Sequence, residues 1–272
     1  MDRPGSDAVF TGSIPEFYDS HLVPLIFEPY AVDLARRVAA LDPSGVLETA
    51  AGTGVGSRAM ARALPAHVEL VVTDLNQPML DRAAAVGTQR PVQWKQADAT
   101  QLPFDDASFD AVACQFGVMF FPDKVRAFSE ARRVLRRGGA LVFNVWDRIE
   151  ENEFAHSVTT TLAGLFPANP PLFMARTPHG YFDQEAISAD LARAGFGAAP
   201  RFETIAARSR AASARVAAIA YCQGTPLRNE IEARPGVGLA EATSACAAAI
   251  AERFGTGPVD GKIQAHVVIV QS

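Results

Sequence analysis

The sequence predicts a doubly wound α/β fold, in which helices flank a mostly parallel sheet of seven strands. Short apolar runs alternate with longer amphipathic runs through the first two-thirds of the 272-residue chain, the pattern of βαβ units. A glycine-rich turn follows the first apolar run and opens a helix, as in sheets that bind nucleotides. A hydrophobic content of 49% is ample for a large buried core.

The strands are predicted from apolar runs with turn signals on either side, and five of them come before residue 147. The predicted strands are 46–48, 68–73, 92–96, 110–116, 140–146, 201–207 and 262–270.

The helices are predicted from amphipathic spacing together with start and stop signals. Pro78 fits the first turn of a helix, where its missing N–H costs nothing. Glycines after an amphipathic run favour a helix end, so Gly138 and Gly139 are expected to close one helix and Gly195 another. The predicted helices between these strands are 55–64, 76–85, 123–135 and 184–194.

Two segments do not fit the alternation: 148–183 and 210–258. The first is rich in proline and aromatic residues, and the second has helical spacing. Long insertions in a compact domain are usually functional. We therefore expect one domain over 1–272, with cap helices at 14–38 and lid insertions at 148–183 and 210–258, all covering the carboxyl edge of the sheet.

The composition disfavours several functional classes. A net charge of −5 argues against a nucleic-acid binder, and the arginines at 132, 133, 136 and 137 are interpreted as the solvated face of a helix. Three cysteines without paired spacing predict neither a disulfide framework nor a metal site. No apolar run has the length of a signal-peptide core or a membrane span, so we expect a cytoplasmic protein without membrane insertion.

The glycine-rich turn carries the strongest functional signal. Gly52 and Gly54 follow the first strand, where glycine permits close approach of a ligand. Asp74 comes 22 residues after Gly52 (74 − 52), just past the second strand, where a carboxylate can accept hydrogen bonds from both ribose hydroxyls. The alternative role for Asp74 is to cap the helix that begins near Asn76.

The charge of this turn discriminates between cofactors. A dinucleotide site would carry a third glycine where the chain has Ser57. Glu48, at the end of the first strand, would repel a pyrophosphate and attract an ammonium or sulfonium group. These residues favour S-adenosylmethionine over NAD.

On these residues the chain resembles the class I S-adenosylmethionine-dependent methyltransferases, most nearly the branch of quinone-ring and sterol methyltransferases, over about 46–146. The resemblance implies a Rossmann-like methyltransferase fold. Ala50 departs from the family, since it replaces the first glycine of the motif. Further segments match in order: Asp74 with Leu75, 97–99 followed by 102–104 and 108–110, and 133–141.

The resemblance implies that Asp98 binds the adenine amino group and that Ala99 offers a backbone N–H; the alternative for Asp98 is a turn residue. It also implies that Tyr18 closes over the cofactor carboxylate, with simple packing as the alternative. The predicted cofactor-binding residues are Tyr18, Glu48, Thr49, Ala50, Gly52, Thr53, Gly54, Asp74, Leu75, Met79, Asp98, Ala99, Gln115, Phe116 and Gly117, of which the last three line the methionine portion and face the acceptor.

Methyl transfer needs alignment and exclusion of water more than a dedicated catalytic residue. A phenol or amine acceptor would require a base, and the candidates in or near the cover are His21, His156, His179 and Tyr181; each has an ordinary structural role as its alternative. The aromatic residues of 148–183 indicate a small, partly hydrophobic acceptor, unless they only pack the insertion onto the sheet.

Two other functions stay open from the residues. One is an NAD(P)-dependent oxidoreductase, which shares the sheet topology. The other is a non-catalytic S-adenosylmethionine-binding module, because fold does not establish function. The product cofactor of the predicted reaction is S-adenosylhomocysteine. The sequence leaves open which atom of the acceptor is methylated and whether the chain forms a homodimer.

Overall fold

The computed structural model describes residues 14–272, in which seven strands form one sheet of order β3-β2-β1-β4-β5-β7-β6. The sheet is mostly parallel, as four pairings show: β1 with β2 and β4, β2 with β3, and β4 with β5. The predicted doubly wound fold is confirmed. The strands are β1 Gly45–Glu48, β2 Glu69–Asp74, β3 Gln93–Gln96, β4 Phe109–Gln115, β5 Leu135–Trp146, β6 Arg201–Ala211 and β7 Val259–Gln271.

Eleven α-helices are present among the described residues. The first two are joined by a π-helical segment, Tyr18–Phe27, so that 14–39 is one continuous helical stretch. The helices are α1 Ile14–Phe17, α2 Glu28–Ala39, α3 Val55–Ala63, α4 Gln77–Val86, α5 Lys124–Val134, α6 Glu153–Leu165, α7 Phe173–Arg176, α8 Gln184–Arg193, α9 Ala214–Gln223, α10 Leu227–Glu232 and α11 Leu239–Phe254.

The strand order reverses beside β1. The chain goes from β1 outward to β2 and β3, then returns to the other side of β1 with β4 and continues to β5. Glu48 at the end of β1 lies opposite Ala113 of β4, so the two strands end at nearly the same level. A reversal of this kind leaves a crevice between the loops at the carboxyl ends, where open α/β sheets bind ligands.

The junction of α5 and β5 differs from the prediction. Gly138 and Gly139 do not close a helix over 123–135, because α5 already ends at Val134 and β5 begins at Leu135. Leu135 pairs with Phe109 and Ala140 with Ala111, so β5 has extra residues between two pairings that are adjacent on β4. The two glycines therefore belong to a bulge, where Gly138 has a φ of +81°.

The chain divides into two compact units. One comprises the described residues up to Phe27, Trp146–Gly180 and Ala206–Gln264; the other comprises Glu28–Val145, Tyr181–Ile205 and Ala265–Ser272. The three stretches of the first unit overlap the segments interpreted as a cover, but their action as lids stays a prediction.

Each unit has buried apolar residues of its own. In the first unit α6, α9 and α11 pack on one another, with Phe154 and Leu162 fully buried. In the second, α2 and α3 pack together, and Leu34, Val38 and Met60 join apolar residues of β1 and β2 in one core. Within the described part of the chain, no helix combines the length and the hydropathy needed to cross a membrane.

Candidate functional site

Glu48 ends β1 with its side chain fully buried. The Ser57 hydroxyl donates to Glu48 Oε2, whereas Oε1 has no hydrogen-bond partner among the described residues. Burial raises the pKa of Glu48 to about 8, and the charge of Asp74 acts in the same direction against the lowering effects of Ser57 and Arg58. The carboxyl group is therefore mainly protonated at neutral pH and ionises readily when a positive charge approaches.

Gly56 makes room for this carboxyl group. A Cβ on Gly56 would lie 2.3 Å from Glu48 Oε1 and 2.9 Å from Gln115 Oε1, closer than real contacts allow. Since Gly56 and Ser57 are in the first turn of α3, the side chain of Glu48 is held against the start of that helix. Neither residue was among the predicted site residues.

Asp74 ends β2 and holds the glycine-rich turn. Its Oδ2 accepts a hydrogen bond of 2.8 Å from Gly52 N, and its Oδ1 accepts one of 2.7 Å from Asn76 N. Burial raises the pKa of Asp74 against these hydrogen bonds, which lower it. Asn76 itself is the N-cap residue of α4, so the alternative role of Asp74 as that cap is not observed. A carboxylate that accepts two such bonds retains lone pairs for ribose hydroxyls.

The turn itself has an unusual backbone. Ala50, Gly52 and Gly54 have φ values of +51°, +58° and +82°. Thr49 N donates to the carbonyl of Ala113 on β4, at 2.9 Å, and so attaches the turn to the next strand. A left-handed conformation costs a residue with a Cβ about 1–2 kcal/mol, so the family's glycine at this position has a physical reason that Ala50 does not meet.

Thr53 lies in the same turn and is 1% exposed. Its Oγ1 atom has no hydrogen-bond partner within residues 14–272. The carbonyl of Thr53 accepts a hydrogen bond of 2.7 Å from Arg58 Nη1. The turn therefore contains two buried polar atoms, Thr53 Oγ1 and Glu48 Oε1, that could bind a ligand group.

The segment after β3 lies beside Asp74, because Ala97 N donates to the carbonyl of Asp74 at 3.0 Å. Asp98 is exposed and its Oδ1 accepts two hydrogen bonds of 2.8 Å from Thr100, so the turn role is present. Ala99 is half-buried. Leu75 is 52% exposed, as expected of an apolar side chain that could cover an adenine ring. Met79, on α4, is buried.

Gln115 is the last residue of β4, and Phe116 and Gly117 follow it at the same edge of the sheet as Glu48. Phe116 has a φ of +51°, and its N–H donates to Asn144 Oδ1 of β5 at 2.9 Å. The Phe116 ring contacts the Tyr30 ring edge-on, with centroids 5.3 Å apart. Asn144 was missed by the sequence analysis, since a lone polar residue in an apolar strand gave no functional signal.

Three of the catalytic candidates and Tyr18 belong to the first unit. The Tyr18 ring stacks on Phe27 with centroids 5.2 Å apart, and His21 Nδ1 lies 2.7 Å from Ser20 Oγ. His156 is half-buried on α6. His179 is buried, and its Nδ1 donates to the carbonyl of Asp147 at 2.8 Å. Burial lowers the pKa of His179 to about 4, so it is a poor proton acceptor at neutral pH.

Tyr181 belongs to the second unit and has a structural hydrogen bond. Its hydroxyl donates to Asp190 Oδ2 at 2.8 Å, and Lys124 Nζ lies 4.9 Å from the centroid of its ring. Burial and the Asp190 carboxylate raise the pKa of Tyr181, which keeps the phenol protonated. Among the described residues no three His, Cys, Asp or Glu side chains form a group that could hold a metal ion.

Comparisons with known proteins identify the family. A sequence model of the methyltransferase domain family matches residues 47–143. A demethylmenaquinone methyltransferase of Clavibacter sepedonicus is 34% identical over 178 residues, which are 61% of this chain and 71% of the relative. The chain belongs to the class I S-adenosylmethionine-dependent methyltransferases. Its relatives lie in the branch of quinone methyltransferases, as the resemblance predicted.

Other relatives match over a smaller share of their length. A ubiquinone/menaquinone biosynthesis C-methyltransferase of Idiomarina loihiensis is 36% identical over 121 residues, and these cover 43% of this chain and 45% of the relative. The matched region therefore covers less than half of the length of that methyltransferase.

Solved structures agree on the fold. A Bacillus halodurans protein described as a methyltransferase superposes with a TM-score of 0.55 at 20% identity, over 88% of this chain and 97% of its own. The 4+2 cyclase SpnF superposes with a TM-score of 0.54 at 19% identity, over 90% of this chain and 81% of its own. These likenesses show the fold alone, because one fold hosts several chemistries.

The family confirms S-adenosylmethionine as the cofactor and methyl transfer as the activity, over the oxidoreductase and the non-catalytic binding module. The residues of the turn fit this cofactor: Glu48 and Asp74 place buried acidic groups at the ends of β1 and β2, and Glu48 Oε1 and Thr53 Oγ1 lack hydrogen-bond partners within the described chain.

Proposed function

We propose that the crevice beyond β1, β2 and β4 binds S-adenosylmethionine through the predicted residues of the second unit. In this assignment Asp74 binds the ribose hydroxyls, and Leu75 with Asp98 and Ala99 surrounds the adenine. The turn at 48–54 and residues 115–117 surround the methionine portion.

A single observation carries this proposal: Glu48 is fully buried and its Oε1 has no partner among the described residues. An unpaired buried carboxyl group is costly unless a bound group compensates it. A ligand with an ammonium and a sulfonium supplies positive charge, whereas a nucleotide phosphate would place a further negative charge beside Glu48 and Asp74. The acidic set therefore supports a cationic adenosyl ligand.

We further propose that the acceptor is a small ring compound with substantial apolar surface, of the quinol type. The segment that follows Gly117 is entirely apolar over four residues, 118–121. Val118 and Met119 are buried, while Phe120 and Phe121 are partly exposed. Relatives named for quinone substrates are consistent with an acceptor of this kind.

Bound S-adenosylmethionine supplies an electrophilic methyl group on a sulfonium. The chain's own residues align the acceptor and exclude water, which can account for most of the acceleration of an in-line displacement. Tyr181 and His179 are poorly suited as bases at neutral pH because of their pKa values. His21, His156 and ionisation of the acceptor itself are the remaining routes for proton removal.

Two measurements test the proposal. Calorimetry of the full chain with S-adenosylhomocysteine should give micromolar binding, and NADH should give none. Asp74→Asn should weaken binding about tenfold or more, since it removes one charged acceptor of ribose hydrogen bonds. Asp81→Asn on exposed α4 surface is the matched control and should change nothing.

Turnover is measured with methyl-labelled S-adenosylmethionine and a panel of small phenols, hydroquinones and amines. Transfer to a hydroquinone supports the proposed acceptor class. Label that appears on amines alone refutes that class, and binding of NADH in place of S-adenosylhomocysteine refutes the cofactor site.

A further inference from the structure

Two residues meet between the loops that follow β1 and β4. A Cβ built on Gly117 would lie only 2.5 Å from the Cβ of Ala50 and 2.8 Å from Cys114 Sγ. Carbon atoms in contact are normally about 3.5–4.0 Å apart. The Ala50 methyl group therefore fills the space that any side chain at position 117 would need.

Ala50 keeps this methyl group in a strained position. Its φ of +51° lies in the left-handed region, which glycine adopts far more easily than alanine. Strained backbone of this kind is concentrated at ligand sites, where surrounding structure holds it in place. The methyl group at 50 and the bare glycine at 117 are complementary in size.

The contact lies where the strand order reverses. Ala50 follows β1 and Gly117 follows β4. From these neighbouring strands the chain continues in opposite directions along the strand order, to β2 from β1 and to β5 from β4. The distance between their two loops sets the width of the crevice at this point.

We propose that Ala50 and Gly117 are a matched pair that sets the gap between the two loops and so selects the cofactor by the size of its sulfonium substituent. This inference rests on the proposed cofactor site. Both are positioning residues, because each acts through its contact with the other and neither takes part in a chemical step.

A double-substitution cycle tests the contact. The proteins are wild type, Ala50→Gly, Gly117→Ala and the double variant, each titrated calorimetrically with S-adenosylhomocysteine. Gly117→Ala should weaken binding about tenfold in the wild type but about threefold or less with Gly at 50, because the clash with the Ala50 methyl is then gone. The clash with Cys114 is the same in both backgrounds and cancels.

Gly197→Ala is the control for the glycine substitution, since nothing lies within 4 Å of a Cβ added there. It should leave binding unchanged.

Selectivity is tested with S-adenosylethionine, which carries one extra methylene on sulfur. Ala50→Gly should reduce the preference for S-adenosylmethionine over this analogue about fivefold or more, because a methylene in a tight apolar site is worth about tenfold or more. A purely structural role for Ala50 would leave this ratio unchanged.

The inference is overturned if the effects at 50 and 117 are additive within about twofold, or if the Ala50→Gly ratio equals that of the wild type. Should Gly117→Ala not fold, the analogue ratio of Ala50→Gly alone decides. Failure of the wild type to bind S-adenosylhomocysteine would instead refute the proposed function, so the two failures are distinct.

Discussion

Replacement of Glu48 by glutamine should uncouple cofactor binding from pH. In the free protein the pKa of Glu48 is raised to about 8 by burial, so at pH 7 about nine in ten molecules carry the proton. A cationic ligand favours the ionised carboxylate. Binding at pH 7 should therefore release about 0.9 proton, and affinity should rise about ninefold from pH 6 to pH 7 and about fivefold from pH 7 to pH 8.

The charged and titratable groups around Glu48, apart from Asp74, do not supply an alternative source of this proton. On α3, Ser57 donates to the carboxyl group and the charge of Arg58 lowers the pKa of Glu48. On β4, burial raises the pKa of Cys114 to about 12, so its thiol stays neutral. Asp74 on β2 has a raised pKa and is the one neighbour that could share the transition.

The assay is calorimetry with S-adenosylmethionine in buffers of different ionisation enthalpy, from which the number of released protons follows directly. Glu48→Gln measured in the same series corrects for titration of the cofactor's own amino group. The loss of affinity caused by Glu48→Gln should be a few-fold at pH 6 and about 10- to 100-fold at pH 8.5, because only the ionised carboxylate attracts the cation.

An equal loss at both pH values, or release of fewer than about 0.2 proton at pH 7, would show that Glu48 does not titrate on binding.

The raised pKa of Glu48 also predicts a pH dependence of the stability of the ligand-free chain. The folded state keeps a proton on Glu48 between pH 4.5 and about 8 that the unfolded state has lost, so the contribution of Glu48 to stability falls as pH rises through this interval, by up to about 1.4 kcal/mol per unit. In urea unfolding, the stability of wild type relative to Glu48→Gln should fall with this slope, because the variant lacks the Glu48 contribution and keeps those of all other groups.

Three further substitutions test neighbouring parts of the site. Gly56→Ala should place a methyl group against Glu48 and abolish binding of S-adenosylhomocysteine, with a loss of stability of about 1–3 kcal/mol in urea unfolding; wild-type affinity would contradict the close approach. Asn144→Leu should cost about 1–3 kcal/mol and weaken cofactor binding, since the N–H of left-handed Phe116 loses its best acceptor; unchanged binding would show that Phe116 needs no such anchor. Tyr181→Phe should leave kcat within about twofold and lower stability by about 1 kcal/mol, because the hydroxyl serves Asp190; a loss of kcat above about 100-fold would instead identify Tyr181 as a base.

The sequence predicted the sheet well because its strands are local apolar runs. Asp74 was predicted because a fixed spacing ties it to Gly52, and the structure brings the two within a hydrogen bond of 2.8 Å. The start of β5 was predicted wrongly, at 140 and not at 135, because Leu135 pairs with Phe109, 26 residues away (135 − 109). No local pattern announces a bulge that is formed by pairing between distant strands.

The same limit applied within the site. Asn144 holds Phe116 across 28 residues, and its neighbours in sequence are all those of an ordinary buried strand. Ala50 was predicted as a cofactor-binding residue and as a departure from a glycine motif. Its contact with Gly117 depends on two loops that meet in space, which explains why the compensation at 117 could not be foreseen.

Ser57 links the choice of cofactor to the packing of the site. In a dinucleotide motif this position is the last glycine, and the start of the following helix binds a phosphate through its free N–H groups. Here the first turn of α3 faces the protein's own carboxyl group: Ser57 donates to Glu48, and Gly56 leaves it the necessary space. A phosphate bound there would have to displace the fully buried Glu48 side chain from the end of β1. The serine that breaks the dinucleotide pattern therefore helps to hold the acidic group that a cationic cofactor requires.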